Sequence, residues 1–497
     1  MSVWIGVDLG TQSVRAMAVA ETGEVLGAAG RPLTSRRDGP RHEQDPEEWW
    51  RALAAATREA LRDVPASRIA GVAVAATSGT ILLTDAAGRP LTPALMYDDR
   101  RADAERVNEV GAAVWERLGY RRMQPNWALP KLLWLLRDAP AGARLAHQSD
   151  FVNRRLVGHE VATDLSNALK TGVDLIEERW PFEVLNLLPP GVLPGVVRPG
   201  SKLGMVSAAA SEQTGIPAGT PVIAGTTDGC AAQLGAGATR IGSWNSVLGT
   251  TLVLKGVTKE LLHDPLGVVY SHRAPDGSWL PGGASSTGAG ALTRDLPGRD
   301  LDALSSEAAA RFGSRRRAHA HPEPARPVTV GRGSAEWAPS APVTYPLVSR
   351  GERFPFDAPD AETFTLGQPA GDVERYVAIL LGAAFVERLC FDYLDLLGAP
   401  VDGEIILTGG ATRSAYWTRL RADVLGRPVT LRENAEPALG MAVLAGGDPA
   451  QMIRTRAVID PSGADLREPY LRFVGELEQR GWLPGKVAHH ARERIAR

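Results

Sequence analysis

Short apolar runs alternate along the chain with clusters of small polar residues. Val3 to Val7 has the β-branched and aromatic content of a strand, and a second run, Val14 to Val19, follows at once. The pair predicts a hairpin whose turn holds Asp8, Gly10, Thr11, Gln12 and Ser13. Residues 243–254 repeat the pattern, with Gly249, Thr250 and Thr251 between Val247-Leu248 and Leu252-Val253-Leu254, but without the acid. Two such hairpins half a chain apart imply a duplicated fold.

The rest of the pattern predicts alternating strands and helices. Asp45 with Pro46 and Glu48 reads as a capping box opening a helix through Trp50, Leu53, Ala60, Leu61 and Val64. Strands are expected at residues 70–76, 81–84 and 404–408. Helices are expected at about 103–118 and 130–137, and through Trp417, Leu420 and Val424 behind a Ser414 cap. A continuously apolar helix is expected over 373–397, with Gly398 at its end. Residues 294–364, rich in Pro, Arg and Gly, read as an extended excursion with short local structure. The chain is α/β in class.

At 497 residues the chain has room for roughly two to four domains. Hydrophobic residues make up 44% and charged residues 23%, as in globular proteins, and a net charge of −2 gives no reason to expect a nucleic-acid or anionic-membrane partner. Cys230 and Cys390 are the two cysteines. That excludes a disulfide framework and favours a reducing, cytoplasmic setting. No signal peptide or membrane span is legible. His319 and His321 sit in the Arg- and Pro-rich stretch and read as solvated surface.

The chemistry is carried by acids beside turns. A turn that offers Asp8 next to exposed amides and hydroxyls suits a Mg²⁺–phosphate group, although an ordinary Gly-containing hairpin reads the same locally. The run Val222-Ile223-Ala224-Gly225-Thr226-Thr227 delivers Asp228 among small residues, which leaves room for a ligand or a close helix. A structural N-cap is the alternative for Asp228. The strand ending in Thr408-Gly409-Gly410-Ala411 makes a turn that a flat ring or a ribose can approach closely.

Together these pieces resemble the FGGY carbohydrate kinase family, sugar kinases on the actin-like ATPase (ribonuclease H-like) fold. The matching segments are Asp8-Leu9-Gly10-Thr11, Thr77-Ser78-Gly79-Thr80, Tyr97-Asp98-Asp99-Arg100-Arg101 and Thr227-Asp228-Gly229-Cys230-Ala231. They continue with Gly249-Thr250-Thr251, Gly351-Glu352-Arg353-Phe354-Pro355-Phe356, Thr408-Gly409-Gly410-Ala411 and Ala438-Leu439-Gly440-Met441-Ala442. Pro130 to Leu135 matches the core of a family signature whose flanks are less well kept at Asn126, Ala128 and Asp138.

The resemblance implies two α/β domains facing across a cleft that closes on its ligands. Residues 1–240 would bind the sugar and supply the base, and residues 241–497 would bind ATP. By the same carry-over Asp228 is the general base, and Asp8 positions Mg²⁺, with Asp228 also on the metal side. Thr11, Gln12, Gly249, Thr250 and Thr251 hold phosphates. Gly409, Gly410 and Ala411 line the adenosine site, with Met441 near the adenine.

Candidate sugar contacts are Thr77, Ser78, Gly79, Asp99, Trp127 and Asp228. The alternative for Asp99 is an ion pair with Arg100 or Arg101, and for Trp127 it is core packing. Glycerol kinases carry an Arg-Glu pair near Thr77, and typical xylulose kinases carry Met-His-Gly or Gln-His-Gly. The Thr77-Ser78-Gly79-Thr80 loop resembles instead the branch associated with D-ribulose. The expected reaction is ATP-dependent phosphorylation of a pentulose, D-ribulose before D-xylulose, with a small sugar as the partner and a monomer or homodimer as the assembly. A related polyol kinase, an ATP-driven binding module of the same fold, and a sugar sensor without activity are the alternatives.

Overall fold

A computed structural model describes residues 1–312 and 340–496. His319 and His321 lie outside the described residues. The chain forms two compact units. The first comprises Met1–Asn245, Lys255–Gly282 and Arg432–Arg454; the second comprises Ser246–Leu254, Gly283–Leu431 and Thr455–Arg497. The first unit is therefore not confined to residues 1–240, because two later segments return to it.

The first unit is built on a six-stranded sheet in the order Lys202–Met205, Pro221–Ile223, Ile69–Ala76, Val3–Leu9, Ser13–Ala20, Val25–Pro32. Val3–Leu9 pairs antiparallel with Ser13–Ala20 and parallel with Ile69–Ala76. Its side chains alternate between the two faces. Val3, Ile5, Val7 and Leu9 join Trp49, Leu53 and Ala56 of the helix Pro46–Ala60 in one core. The opposite parity, Trp4, Gly6 and Asp8, points to the other face, where the helix Pro437–Leu444 lies. A Cβ on Gly6 would fall 1.7 Å from the Ala438 carbonyl, so only glycine lets this helix approach.

The helix Pro46–Ala60 is capped by Asp45, whose carboxylate accepts from the Glu47 amide at 2.9 Å. The expected capping box does not form. The Glu48 carboxylate turns to the Thr34 amide and hydroxyl instead, tying the helix to the end of a strand. A second, five-stranded sheet carries Ile81–Thr84 between Ala94–Leu95 and Arg144–His147.

Five neighbouring strands of a seven-stranded sheet run in the order Leu252–Gly256, Trp244–Leu248, Ile405–Thr408, Val429–Arg432, Thr455–Ile459. The predicted apolar helix spans Asp372–Leu396 and is buried along most of its length, with Gly398 just beyond it at φ 86°. Tyr470 and Phe473 both pack on Phe385 of this helix. Glu387 and Arg421 form a fully buried ion pair that also holds the Ser246 hydroxyl. Within residues 294–364, where periodicity is weak, a 12-residue helix forms at Leu301–Phe312. Among the described residues no helix is long and apolar enough to cross a membrane.

Candidate active site

Asp8 sits at the end of the central strand, opposite Arg15 on one neighbour and Ala75 on the other. The turn beyond it closes with the Gly10 amide donating to the Ser13 carbonyl at 3.1 Å. The Thr11 and Gln12 carbonyls are held by Gln44 Nε2 and the Leu33 amide, so both residues present their side chains from a fixed backbone.

Asp228 opens the helix Asp228–Ala236 as its first residue, behind Thr227 at the N-cap, so the N-cap alternative is not realised. Gly and Ala near it serve helix packing. A Cβ on Gly440 would lie 2.0 Å from the Ala231 carbonyl, and one on Gly235 would lie 2.3 Å from the Glu436 carbonyl. The crowd of small residues is thus the seam between this helix and Pro437–Leu444. Met441, expected near an adenine, is fully buried in that seam with Ala73, Ala75 and Ala231, and offers no surface to a ligand.

Both carboxylates keep some open surface, yet burial is the largest influence on each. Asp8 is pushed up to about 7, first by burial and then by the negative charge of Asp228 and of Glu436, with Arg15 pulling it down. Burial also raises Asp228, while the Gly229 amide at 2.7 Å and the ammonium groups of Lys170 and Lys255 favour its anion. The site is therefore a pair of coupled acids, one of them flanked by cations.

The loop Thr77-Ser78-Gly79-Thr80 is locked from behind. Thr77 donates both its amide and its hydroxyl to Gln148 Oε1, at 2.9 and 2.7 Å, so its hydroxyl shapes the loop and is not free for a sugar. Gly79 adopts φ 89°, and its carbonyl accepts from Lys131 Nζ at 2.7 Å. Lys131 is fully buried and also donates to the Met96 carbonyl at 2.7 Å, joining this loop to residues 95–101. The Ser78 carbonyl accepts from Lys170 Nζ at 3.1 Å, whereas the Ser78 hydroxyl is buried without a partner among the described residues.

Asp99, expected to bind sugar hydroxyls, takes the alternative. Its carboxylate is fully buried and saturated by the Arg101 guanidinium, at 2.9–3.1 Å, and by the His42 amide at 2.8 Å. Trp127 packs between Tyr120 and Tyr270, with ring centroids 5.2 and 5.7 Å away.

In the second unit, Gly409 adopts φ 84° with Leu248 backbone atoms 2.6–3.0 Å from where a Cβ would stand, so no other residue fits there. Gly409 and Gly410 are exposed, Ala411 is buried, and Ser414 caps the next helix from the Trp417 amide. The Gly249 and Thr250 carbonyls accept from the Ala289 and Gly290 amides, which leaves Thr250 exposed and Thr251 partly so.

Three residues around Asp228 escape sequence reading: Lys170, Lys255 and His272. Lys255 Nζ donates to His272 Nδ1 at 2.9 Å and to the Leu280 carbonyl at 3.2 Å. It also pairs with the Cys230 thiol. The one available signal was a lysine inside the apolar strand Leu252–Gly256. No three His, Cys, Asp or Glu side chains converge as a closed metal site among the described residues.

Comparison with known proteins identifies the family. Residues 3–235 match the N-terminal domain of the FGGY family of carbohydrate kinases, and residues 244–447 match its C-terminal domain. The chain is 30% identical over 463 residues to the xylulose kinase of Escherichia coli (strain K12), covering 89% of each chain. It is 32% identical over 469 residues to that of Streptomyces coelicolor, covering 89% of this chain and 87% of the other. The crystal structure of xylulose kinase from Rhodospirillum rubrum superposes with a TM-score of 0.79 at 26% identity, over 96% of this chain and 99% of that one. The chain belongs to the FGGY family of carbohydrate kinases.

Proposed function

We propose that the protein transfers the γ-phosphoryl group of ATP to the terminal hydroxyl of a pentulose, D-ribulose first and D-xylulose second. The observation that carries this reading is the pairing of Asp8 with Asp228, close enough for one charge to raise the other. Lys170 links that pair to the sugar loop: its charge acts on Asp228, and its ammonium holds the Ser78 carbonyl.

Asp228 accepts the hydroxyl proton as the oxygen attacks the γ-phosphorus. The transition state is loose, so alignment and charge neutralisation count for more than basicity. Burial raises the Asp228 carboxyl, and Lys170 and Lys255 oppose that rise by favouring its anion. Asp8 fits a divalent cation, because a cation there would favour the ionised carboxylate that burial and the Asp228 charge oppose. With no closed ligand set, such a Mg²⁺ would be held by Asp8, water and phosphate oxygens, and when bound it supplies charge neutralisation at the phosphates. We assign phosphate contacts to Thr11, Gln12, Gly249, Thr250 and Thr251, and adenosine contacts to Gly409, Gly410 and Ala411.

Ser78, small and with an unpartnered hydroxyl where typical xylulose kinases place histidine, favours D-ribulose. The relatives named xylulose kinase favour D-xylulose as the second reading. ADP release with Mg-ATP across D-ribulose, D-xylulose, L-ribulose, L-xylulose, glycerol, erythritol and D-fructose tests both. Saturable stimulation by D-ribulose above the others is expected. Stimulation only by a polyol would overturn the pentulose reading, and turnover indifferent to every sugar would favour an ATP-driven switch.

A further inference from the structure

His272 is buried, 3% exposed. Lys255 links it to the candidate base: its charge acts on Asp228, and its ammonium meets His272 Nδ1 at 2.9 Å. An ammonium only donates. Burial lowers the Lys255 ammonium, while Cys230 and Asp228 favour it; with Lys255 as the ammonium, Nδ1 accepts and the ring proton stands on Nε2. Burial and the neighbouring charges of Lys255 and Lys170 hold the ring neutral, well below its ordinary range. That Nε2–H is buried and has no acceptor among the described residues. Buried donors are nearly always satisfied, so this open one is a candidate contact for a ligand oxygen. The Ser78 hydroxyl is a second unpartnered group of the same cluster, joined to it through Lys170. Tyr270, with its ring centroid 5.5 Å from that of His272, continues the aromatic run of Trp127 and Tyr120 behind it.

We propose that His272 is a specificity-determining residue whose Nε2–H donates to the carbonyl oxygen of a keto sugar, and that Lys255 is the positioning residue that fixes this tautomer. A neutral N–H matches a carbonyl oxygen, which only accepts. The corresponding polyol has a hydroxyl there and gains less from a pure donor. This inference rests on the pentulose kinase reading above, and it names how the same site tells a ketose from its reduced form.

The test uses the full-length protein and the ratio of kcat/KM for the preferred pentulose to kcat/KM for its pentitols. His272→Leu should lower that ratio at least about tenfold through the ketose KM, with pentitol constants moving less than about threefold. His272→Gln, which keeps a donor near the Nε2 position, should retain most of the ratio. Nitrogen-15 NMR of labelled histidine supplies a readout independent of turnover. The His272 ring should be the Nε2–H tautomer in the free protein, should shift on adding ketose but not pentitol, and should lose its fixed tautomer in Lys255→Met. Equal losses for ketose and pentitol, or an Nδ1–H ring in the wild type, would overturn the inference. If the wild type phosphorylates no pentulose, the pentulose reading falls, and the ketose assignment with it. If it phosphorylates one while His272→Leu leaves the ratio unchanged, only this inference falls.

Discussion

Asp8 and Asp228 are coupled: burial first, and then the negative charge of Asp228, lift the Asp8 carboxyl to about 7. The folded protein thus holds on Asp8 a proton that the unfolded chain releases near 3.8. Between about pH 4 and 7 the native state binds more protons, so this group's contribution to stability is present below 4 and lost as pH rises through 7. Asp8→Asn should flatten that part of the slope in thermal melts between pH 4 and 8. A cation favours the ionised carboxylate, so stabilisation by Mg-nucleotide should grow from pH 6 to pH 8. Identical slopes in the two proteins would contradict the assignment.

Replacing Asp228 by Asn removes the proton acceptor and keeps the size. The expected loss in kcat is on the order of 10²–10⁴-fold, with sugar and ATP KM values within about threefold. Steady-state kinetics on the best sugar of the panel decides it. Survival of kcat within a few-fold would remove Asp228 from the chemistry.

Lys131 ties two loops by two carbonyl bonds, and burial lowers its ammonium to about 7, from 10.5. Here the sign is opposite to that of Asp8. Between about pH 7 and 10.5 the unfolded chain binds the extra proton, so this contribution to stability is present above 10.5 and lost as pH falls through 7. Lys131→Met leaves the Gly79 and Met96 carbonyls without donors and should cost about 2–4 kcal/mol in urea unfolding at pH 7. It should also raise the sugar KM while leaving the ATP KM unchanged. Unchanged sugar affinity would show that the two loops do not depend on this link.

The Glu387–Arg421 pair is fully buried and carries no proposed chemistry. Arg421→Ala should destabilise the protein by about 3–5 kcal/mol, because it strands the Glu387 charge. The double variant Glu387→Met/Arg421→Met should recover part of that loss. Differential scanning calorimetry separates the cases, and sugar KM should not move in either.

What could be read from the sequence depended on whether a residue's role was set by its neighbours in the chain. The hairpin around Asp8, the helix over Asp372–Leu396 and the Gly409 turn follow local periodicity or a backbone conformation that only glycine adopts easily. Asp99 could not be assigned, because an acid beside two arginines reads equally well as ligand or ion pair; the fold settles it by bringing the His42 amide to the same carboxylate. Met441 misled for a related reason: a stripe of small residues signals close approach without saying by what, and here a second helix fills the gap. Lys255 and His272 come from segments far in sequence from Asp228, and nothing local to them announces the shared site.

The helix Pro437–Leu444, whose backbone fills the space that Gly6 and Gly235 leave open, arrives late in synthesis. The strand bearing Asp8 is made more than four hundred residues before this helix, so the face that the helix covers stays bare for that interval. A nascent chain must carry that uncovered seam of small apolar residues throughout, exposed to chaperones and to other chains. A fragment ending near residue 240 would keep both candidate catalytic acids, Asp8 and Asp228, and lack the wedge that closes their scaffold. It should be made as an aggregating or chaperone-bound species, and adding residues 432–454 back in trans should rescue its solubility.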